Sequence, residues 1–325
     1  MGAGSYAQGN LLPHLKKFSN IDLKGVLNAT GSASRSVAER FEFEFCTDDE
    51  DHILRNENIN TVFIASKHDS HARYVTKALT SGKNVFVEKP LCLSETQLKG
   101  IYSELDDINK GGQAGILMVG YNRRYSPLAE ILKDAMGQGP MAMIYRINAG
   151  SIPGETWVHD KDIGGGRIIG EVCHFVDFLT FLNGTLPTKI GATGMRTAHD
   201  LEDILTITLS YENGSIGTIS YFSNGDRGLP KEYVEAHSNG ISAILNDFKS
   251  VSIYSKGKRR VKKLASQNKG QKNEIKKFIK AIEDNRPCLI PYDEIYSTSM
   301  TTFKAVESLR NGTIIDLERL SVRDR

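Results

Sequence analysis

Short apolar runs rich in β-branched residues recur through the first 125 residues: LKGVL (23–27), NTVFIA (60–65), NVFVE (84–88) and ILMVGY (116–121). Runs of this length without polar alternation suit strands covered by helices on both faces, the situation of a parallel sheet. The intervening segments 34–41, 70–81 and 94–105 have helical period. The last two open at Ser70 and Ser94, whose hydroxyls can cap the first free N–H groups of a helix. Such a rhythm predicts a doubly wound α/β domain over residues 1–124.

Beyond residue 125 the pattern changes. DILTITLSYENGSIGTISYF (203–222) reads as two alternating strands around Asn213-Gly214, and VEAH and ISAIL flank a second Asn-Gly pair at Asn239. Asn-Gly between alternating runs is a strong hairpin signal, so this half is expected to be mostly antiparallel sheet. Segments 273–284 and 293–310 return to helical period. A second domain, 125–325, follows from the change of architecture.

Composition narrows the function classes. With 39% hydrophobic and 25% charged residues the chain is an ordinary globular one, and a net charge of +2 says nothing about partners. Its one basic cluster, KGKRRVKK (256–263), spreads charge over both faces of a strand-like segment without aromatic residues, which fits a solvated sheet edge and not a nucleic-acid surface. No apolar run approaches membrane-spanning length and no signal peptide is visible, so neither a membrane nor secretion is expected and the cytoplasm is the expected location. Cys46, Cys92, Cys173 and Cys288 lack CxxC spacing. They fit reduced thiols in that compartment, and no metal site is expected.

The chain starts MGAGSYAQGN, in which Gly2-Ala3-Gly4-Ser5-Tyr6-Ala7 matches G-x-G-x-x-A. Glycines there allow a tight turn and close approach of backbone N–H groups to a pyrophosphate at a helix N-terminus. The motif normally follows a strand, yet only Met1 precedes it. A late start or a cut from a longer chain is expected, leaving the sheet without its first strand and weakening both the domain and cofactor binding. Where an acidic residue would hold a ribose hydroxyl, the sequence has Asn28-Ala29-Thr30, with Arg35 further on. NAD and NADP both stay open, with a lean to NAD because Arg35 falls inside the next helix.

Polar residues gather at the carboxyl ends of the strands, where an open α/β sheet binds its ligand. They are Ser66, His68 and His71 in SKHDSHA, Glu88 and Lys89 in VEKPL, and Asn122, Arg123 and Arg124 in YNRRYSP. In GGGRIIGEVCHFVDFL (164–179), Glu171, His174 and Asp177 fall at spacings of three on one helical edge. Ile168, Val172, Phe175, Val176 and Leu179 cluster on an adjoining face that must be core.

The glycine motif, His71, EKP, YNRRYSP and the GGG…H…D helix occur in an order and spacing that resembles the Gfo/Idh/MocA oxidoreductases, over essentially the whole chain but the first strand. The wording is most similar to the oxidoreductase half of bi-domain proteins with a zinc-dehydrogenase-like portion upstream. The resemblance implies a Rossmann domain, then an α/β domain whose large open sheet forms homo-oligomer contacts, and NAD(P)-dependent oxidation of a secondary alcohol on a sugar, inositol or nucleotide sugar. By position it implies Lys89 and His174 as catalytic residues. It also implies a pyrophosphate loop at Gly2, Gly4 and Ala7 with Ser5 and Tyr6, and a cofactor edge at Asn28, Ser66, His68, His71, Glu88, Lys89 and Arg124. Tyr125, Trp157, Arg167 and Glu171 are expected to line the substrate pocket with Lys89 and His174.

The chemistry is coherent with those residue types. A histidine can take the hydroxyl proton at neutral pH, and an ammonium can stabilise developing alkoxide character. Many family members carry Asp four residues before the His, whereas here Gly170 fills that place and Glu171 follows. Glu171 is the candidate to replace it. Two other readings stay open: an NAD-dependent glycoside hydrolase, and a nucleotide-binding protein without catalysis.

Overall fold

The computed structural model describes residues 1–111, 115–195 and 202–318. Its first part contains a helix over 5–15, then β1 (Gly25–Leu27), α2 (Gly31–Phe41) after the short α1 (Leu12–Leu15) that ends the first helix, β2 (Phe45–Thr47), α3 (Asp51–Leu54), β3 (Thr61–Ile64), α4 (His71–Thr80), β4 (Asn84–Val87), α5 (Glu95–Lys110) and β5 (Leu117–Val119). There follow α6 (Pro127–Met136), β6 (Ala142–Asn148), α7 (Cys173–Asn183), β7 (Pro187–Gly194), β8 (Ile204–Tyr211), β9 (Ile216–Phe222), β10 (Glu232–Ser238), β11 (Ile241–Asn246), β12 (Ser250–Ser255) and β13 (Lys258–Lys263). The chain closes with α8 (Gln271–Glu283), α9 (Tyr292–Asn311) and β14 (Ile315–Asp316).

Two compact units divide these elements: Met1–Gly120 with Gln271–Pro291, and Tyr121–Gly270 with the described residues from Tyr292 on. This division differs from the single cut at 124/125 read from sequence in starting the second unit at Tyr121 and in giving Gln271–Pro291 to the first. Helix α8 belongs to the first unit because Phe278 packs its ring against Phe63 and Phe86, each at 5.7 Å. Helical period alone does not say which sheet a helix covers, and the last residues of the expected 125–325 domain lie outside the described ones.

In the first unit the sheet is parallel but split. β1 pairs with β2, and β3-β4-β5 form a separate sheet. Val85, Phe86, Val87, Leu117, Met118 and Val119 are fully buried, which is why these strands read as unbroken apolar runs. The first helix takes a π-helical turn over Ala7–Leu11 just before Pro13 in α1. Proline has no N–H to offer the preceding turn, so the regular ladder gives way there, and the helix ends at Leu15. Ser94 caps α5 by accepting from the Gln97 N–H at 3.2 Å. Ser70 does not cap α4: its hydroxyl donates to the Lys67 carbonyl at 2.8 Å.

The second unit is built on a nine-stranded sheet in the order β13-β12-β11-β10-β6-β9-β8-β7-β14, antiparallel except for the β6–β9 pair. Asn239 (φ 47°) and Gly240 (φ 74°) make the two-residue turn between β10 and β11, as the Asn-Gly signal predicts. At the other signal only Gly214 takes positive φ, and the Asn213 side chain instead accepts from the Ser215 N–H at 3.0 Å, giving a longer loop between β8 and β9. Along β6, Met143, Tyr145 and Ile147 point into a core shared with Phe175, Val176, Phe178 and Leu179 of α7, while Ile144 stays exposed. Every residue of β13 is exposed, so the basic run is a solvated edge.

Candidate active site

The glycine loop has the geometry its motif requires. Gly2 adopts φ +81°, and a Cβ on it would lie 2.4 Å from the Ser66 backbone, so only glycine fits the turn. A Cβ on Gly4 would meet nothing within 4 Å, which leaves open space over the loop just before the helix that starts at Ser5. Ser5 and Tyr6 are exposed and Ala7 is buried. The Asn28 carbonyl oxygen Oδ1 accepts from the Ala3 N–H at 2.7 Å, tying the loop to the end of β1. Its Nδ2 is buried without a hydrogen-bond partner. A close-approach loop, free space above it and an orphaned donor beside it fit the pyrophosphate and ribose of a dinucleotide. Arg35 is exposed on α2.

At the carboxyl ends of β3 and β4, His71 is completely buried. Its Nδ1 lies 2.7 Å from the Pro90 carbonyl and its Nε2 3.1 Å from the Ser66 carbonyl. Burial pushes its pKa below the usual histidine value, so the ring is neutral at pH 7 and has one N–H for the two carbonyls. The ring expected on the cofactor edge therefore joins two loops, with both nitrogens occupied by main chain. His68 lies beside it, ring centroids 5.7 Å apart, and Ser66 Oγ meets Ser70 Oγ at 2.6 Å. Glu88 is buried with its carboxylate against Gly120, where an added Cβ would come within 3.0 Å. Lys89 is half-buried and followed by a cis bond to Pro90.

In the second unit, the triple glycine resolves into distinct roles. A Cβ on Gly164 would lie 2.5 Å from the carbonyl oxygens of Trp157 and Val158, and Gly165 and Gly166 both have left-handed φ. They fold the segment that carries half-buried Trp157 back against the start of the next helix. That helix begins with a π-helical turn at Ile168–Val172, so the 100° spacing assumed from sequence does not hold at Glu171. His174 lies just after it, 8% exposed, with the buried Tyr121 ring edge-on at 6.4 Å. Phe175 and Val176 behind it are fully buried core.

Glu171 faces cations. Its carboxylate lies 3.4 Å from Arg167 and 3.7 Å from Lys231, and it sits beside the Tyr221 phenol, which burial and this negative charge push well above its ordinary pKa. Arg167, nearly buried, also donates to the Gly150 carbonyl at 2.7 Å and lies 3.6 Å from Asp203. Two cations thus meet the charge of Glu171, the candidate to replace the missing Asp. Tyr121, Asp203, Tyr221 and Lys231 belong to this constellation and were missed. Tyr121 read as part of a strand that ends at Val119, and Tyr221 as one more inward position of an alternating strand.

Arg124, expected on the cofactor edge, is buried in an ion-pair network. Its guanidinium is bidentate to Asp177 at 3.1 and 2.5 Å and reaches Glu294 at 2.9 Å, all within the second unit. Arg123 is likewise bidentate to Glu232, which also accepts from Tyr145 and Lys269. Burial disfavours the Glu232 charge, yet Arg123 and Lys269 outweigh it and hold the carboxyl well below the usual range. Tyr125 is buried beside these pairs. The helix edge from sequence thus divides: Asp177 serves the ion pair, and His174 packs beside Tyr121.

Residues 1–111 match the family described as "Oxidoreductase family, NAD-binding Rossmann fold", and residues 140–234 match the "GFO/IDH/MocA C-terminal domain". Together with the split parallel sheet and the large antiparallel one, these matches define the class: an oxidoreductase with an NAD-binding Rossmann domain and a second, sheet-based domain. The chain belongs to the Gfo/Idh/MocA family. An uncharacterized oxidoreductase of Bacillus subtilis is 25% identical over 292 residues, 85% of this chain and 82% of that protein. The levoglucosan dehydrogenase of Pseudarthrobacter phenanthrenivorans is 24% identical over 256 residues, 69% of this chain and 64% of that protein. A levoglucosan dehydrogenase solved in complex with NADH and levoglucosan shares the fold, with a TM-score of 0.84 at 20% identity over 97% of each chain.

Proposed function

We propose that the protein is an NAD-dependent dehydrogenase acting on a secondary alcohol of a sugar or polyol. The observation that carries this reading is the placement of His174. It stands at the start of a helix whose rear face is core, with Tyr121 on one side and the Arg167–Glu171–Lys231 cluster nearby. Such a wall, one histidine among convergent donors and acceptors, suits a polyhydroxylated substrate. His174 takes the hydroxyl proton as general base and returns it in the reverse direction. Lys89 orients the reacting hydroxyl and offsets its developing negative charge. Glu171, Arg167 and Trp157 hold the other hydroxyls, and Tyr125 shapes the wall. Nicotinamide, when bound, supplies the hydride acceptor.

NAD is favoured over NADP because Asn28 brings a neutral amide, and no positive charge, to the end of β1, while Arg35 points into solvent on α2. A homo-oligomer formed through the open sheet face is part of the same proposal. The name of the levoglucosan relative supports a sugar-like alcohol. A screen of sugars, anhydrosugars and inositols for reduction of NAD and of NADP tests the reading. It predicts turnover with at least one polyol and a higher kcat/KM with NAD. Nicotinamide binding without turnover of any polyol contradicts it.

A further inference from the structure

Helix α7 starts without a regular turn before it to fix its rotation. The π-helical turn Ile168–Val172 precedes it, and the α-helical ladder runs only from Cys173. Its buried face is Phe175, Val176, Phe178 and Leu179, apolar side chains whose contacts are non-directional and lose uniqueness before they lose stability. His174 and Asp177 lie in the regular stretch, three residues apart and so about 60° from each other around the axis.

One short segment grips this edge of the helix. Tyr121 meets the His174 ring edge-on at 6.4 Å, Arg123 lies over the Phe175 ring at 5.2 Å, and Arg124 is bidentate to Asp177 at 3.1 and 2.5 Å. The 3₁₀ turn Asn122–Tyr125 that carries both arginines is itself fixed. Arg123 forks onto Glu232 of β10 at 2.7 and 3.0 Å, and Asn122 and Ser126 donate to the Lys269 and Asn268 carbonyls at 2.8 and 2.7 Å. Arg124 also reaches Glu294 of α9 at 2.9 Å and lies over the Phe181 ring at 5.3 Å. All of these residues belong to the second unit.

A planar guanidinium held by both oxygens of one carboxylate has a defined geometry that apolar contacts lack. Such a buried pair adds little stability over apolar side chains of similar volume, because both charges lose their water. Its use here is therefore register. We propose that Arg124 and Asp177 are positioning residues for His174: their pair sets the rotation of α7 at which the His174 ring stands against Tyr121. Both are buried, at 6% and 0% exposed, so they act through the helix. This inference rests on the reading of His174 as the base.

The full chain carrying Arg124→Met and Asp177→Leu together tests it, with His174→Ala as the control that also identifies the His174 ring signals by NMR. The expected result is a urea midpoint close to that of the unsubstituted chain, NAD affinity within about twofold, kcat for polyol oxidation down by about 10- to 100-fold, and displaced His174 ring signals. Should the double variant not fold, Arg124→Lys takes its place, keeping a charge beside Asp177 without the fork, and the same displacement and loss of kcat are expected. His174 ring signals at their original positions overturn the proposal, and so does kcat within about twofold of the unsubstituted chain where His174→Ala has lost turnover. Unchanged turnover in His174→Ala instead contradicts the role of His174 as base, and the ring signals then decide the positioning by themselves.

Discussion

Two side chains show how burial and pairing decide what a polar residue does. Arg124 and Asp177 face each other in the interior, so removing one charge strands the other. Arg124→Met is expected to cost about 3–5 kcal/mol in urea unfolding, and Arg124→Met combined with Asp177→Leu to recover much of it, because the orphaned carboxylate is the expensive part. His71 gives a pH signature. Its folded pKa lies below the unfolded value of 6.5, so at pH values between the two the unfolded chain binds the extra proton and stability rises with pH. Denaturation midpoints should therefore fall as pH drops below about 6.5, and His71→Gln should flatten that fall. Neither role was legible in the sequence, since HDSHA and NRRYSP show that charge lies at strand ends and not whether main chain or a carboxylate already claims it. His174 was singled out by its place in the GGG…H…D motif, whereas the inward face of its neighbours was legible from core residues at helical spacing.

Among the elements, strands and hairpins were read most accurately. Continuous apolar runs mark β3, β4 and β5, and alternation marks β8 and β9, since burial on two faces or one leaves a direct imprint on residue type. β2 escaped because three residues, one of them exposed Cys46, make no pattern. The π-helical turns at Ala7–Leu11 and Ile168–Val172 escaped because they are local answers to Pro13 and to the packing after the triple glycine. Capping separates two serines that look alike in sequence. Ser94→Ala should lower stability by about 1 kcal/mol through loss of the Gln97 bond, and Ser70→Ala by clearly less, as its hydroxyl serves a loop carbonyl. Paired urea titrations of the two variants decide this.

At the level of the whole molecule, the change from apolar runs to alternating strands announced two architectures. The return of α8 to the first unit did not show, because that assignment rests on aromatic packing between segments far apart in the chain. The family membership explains why glycine loop, EKP and GGG helix occur together in one chain. The central claim is that His174 moves the proton when a polyol is oxidised by NAD. Its most direct test is kcat for NADH formation by His174→Ala and by the unsubstituted chain, on the best polyol and at saturating NAD. A loss of about 10²- to 10⁴-fold with nicotinamide affinity unchanged is the predicted result, and turnover by His174→Ala within a few-fold of the unsubstituted chain would contradict it.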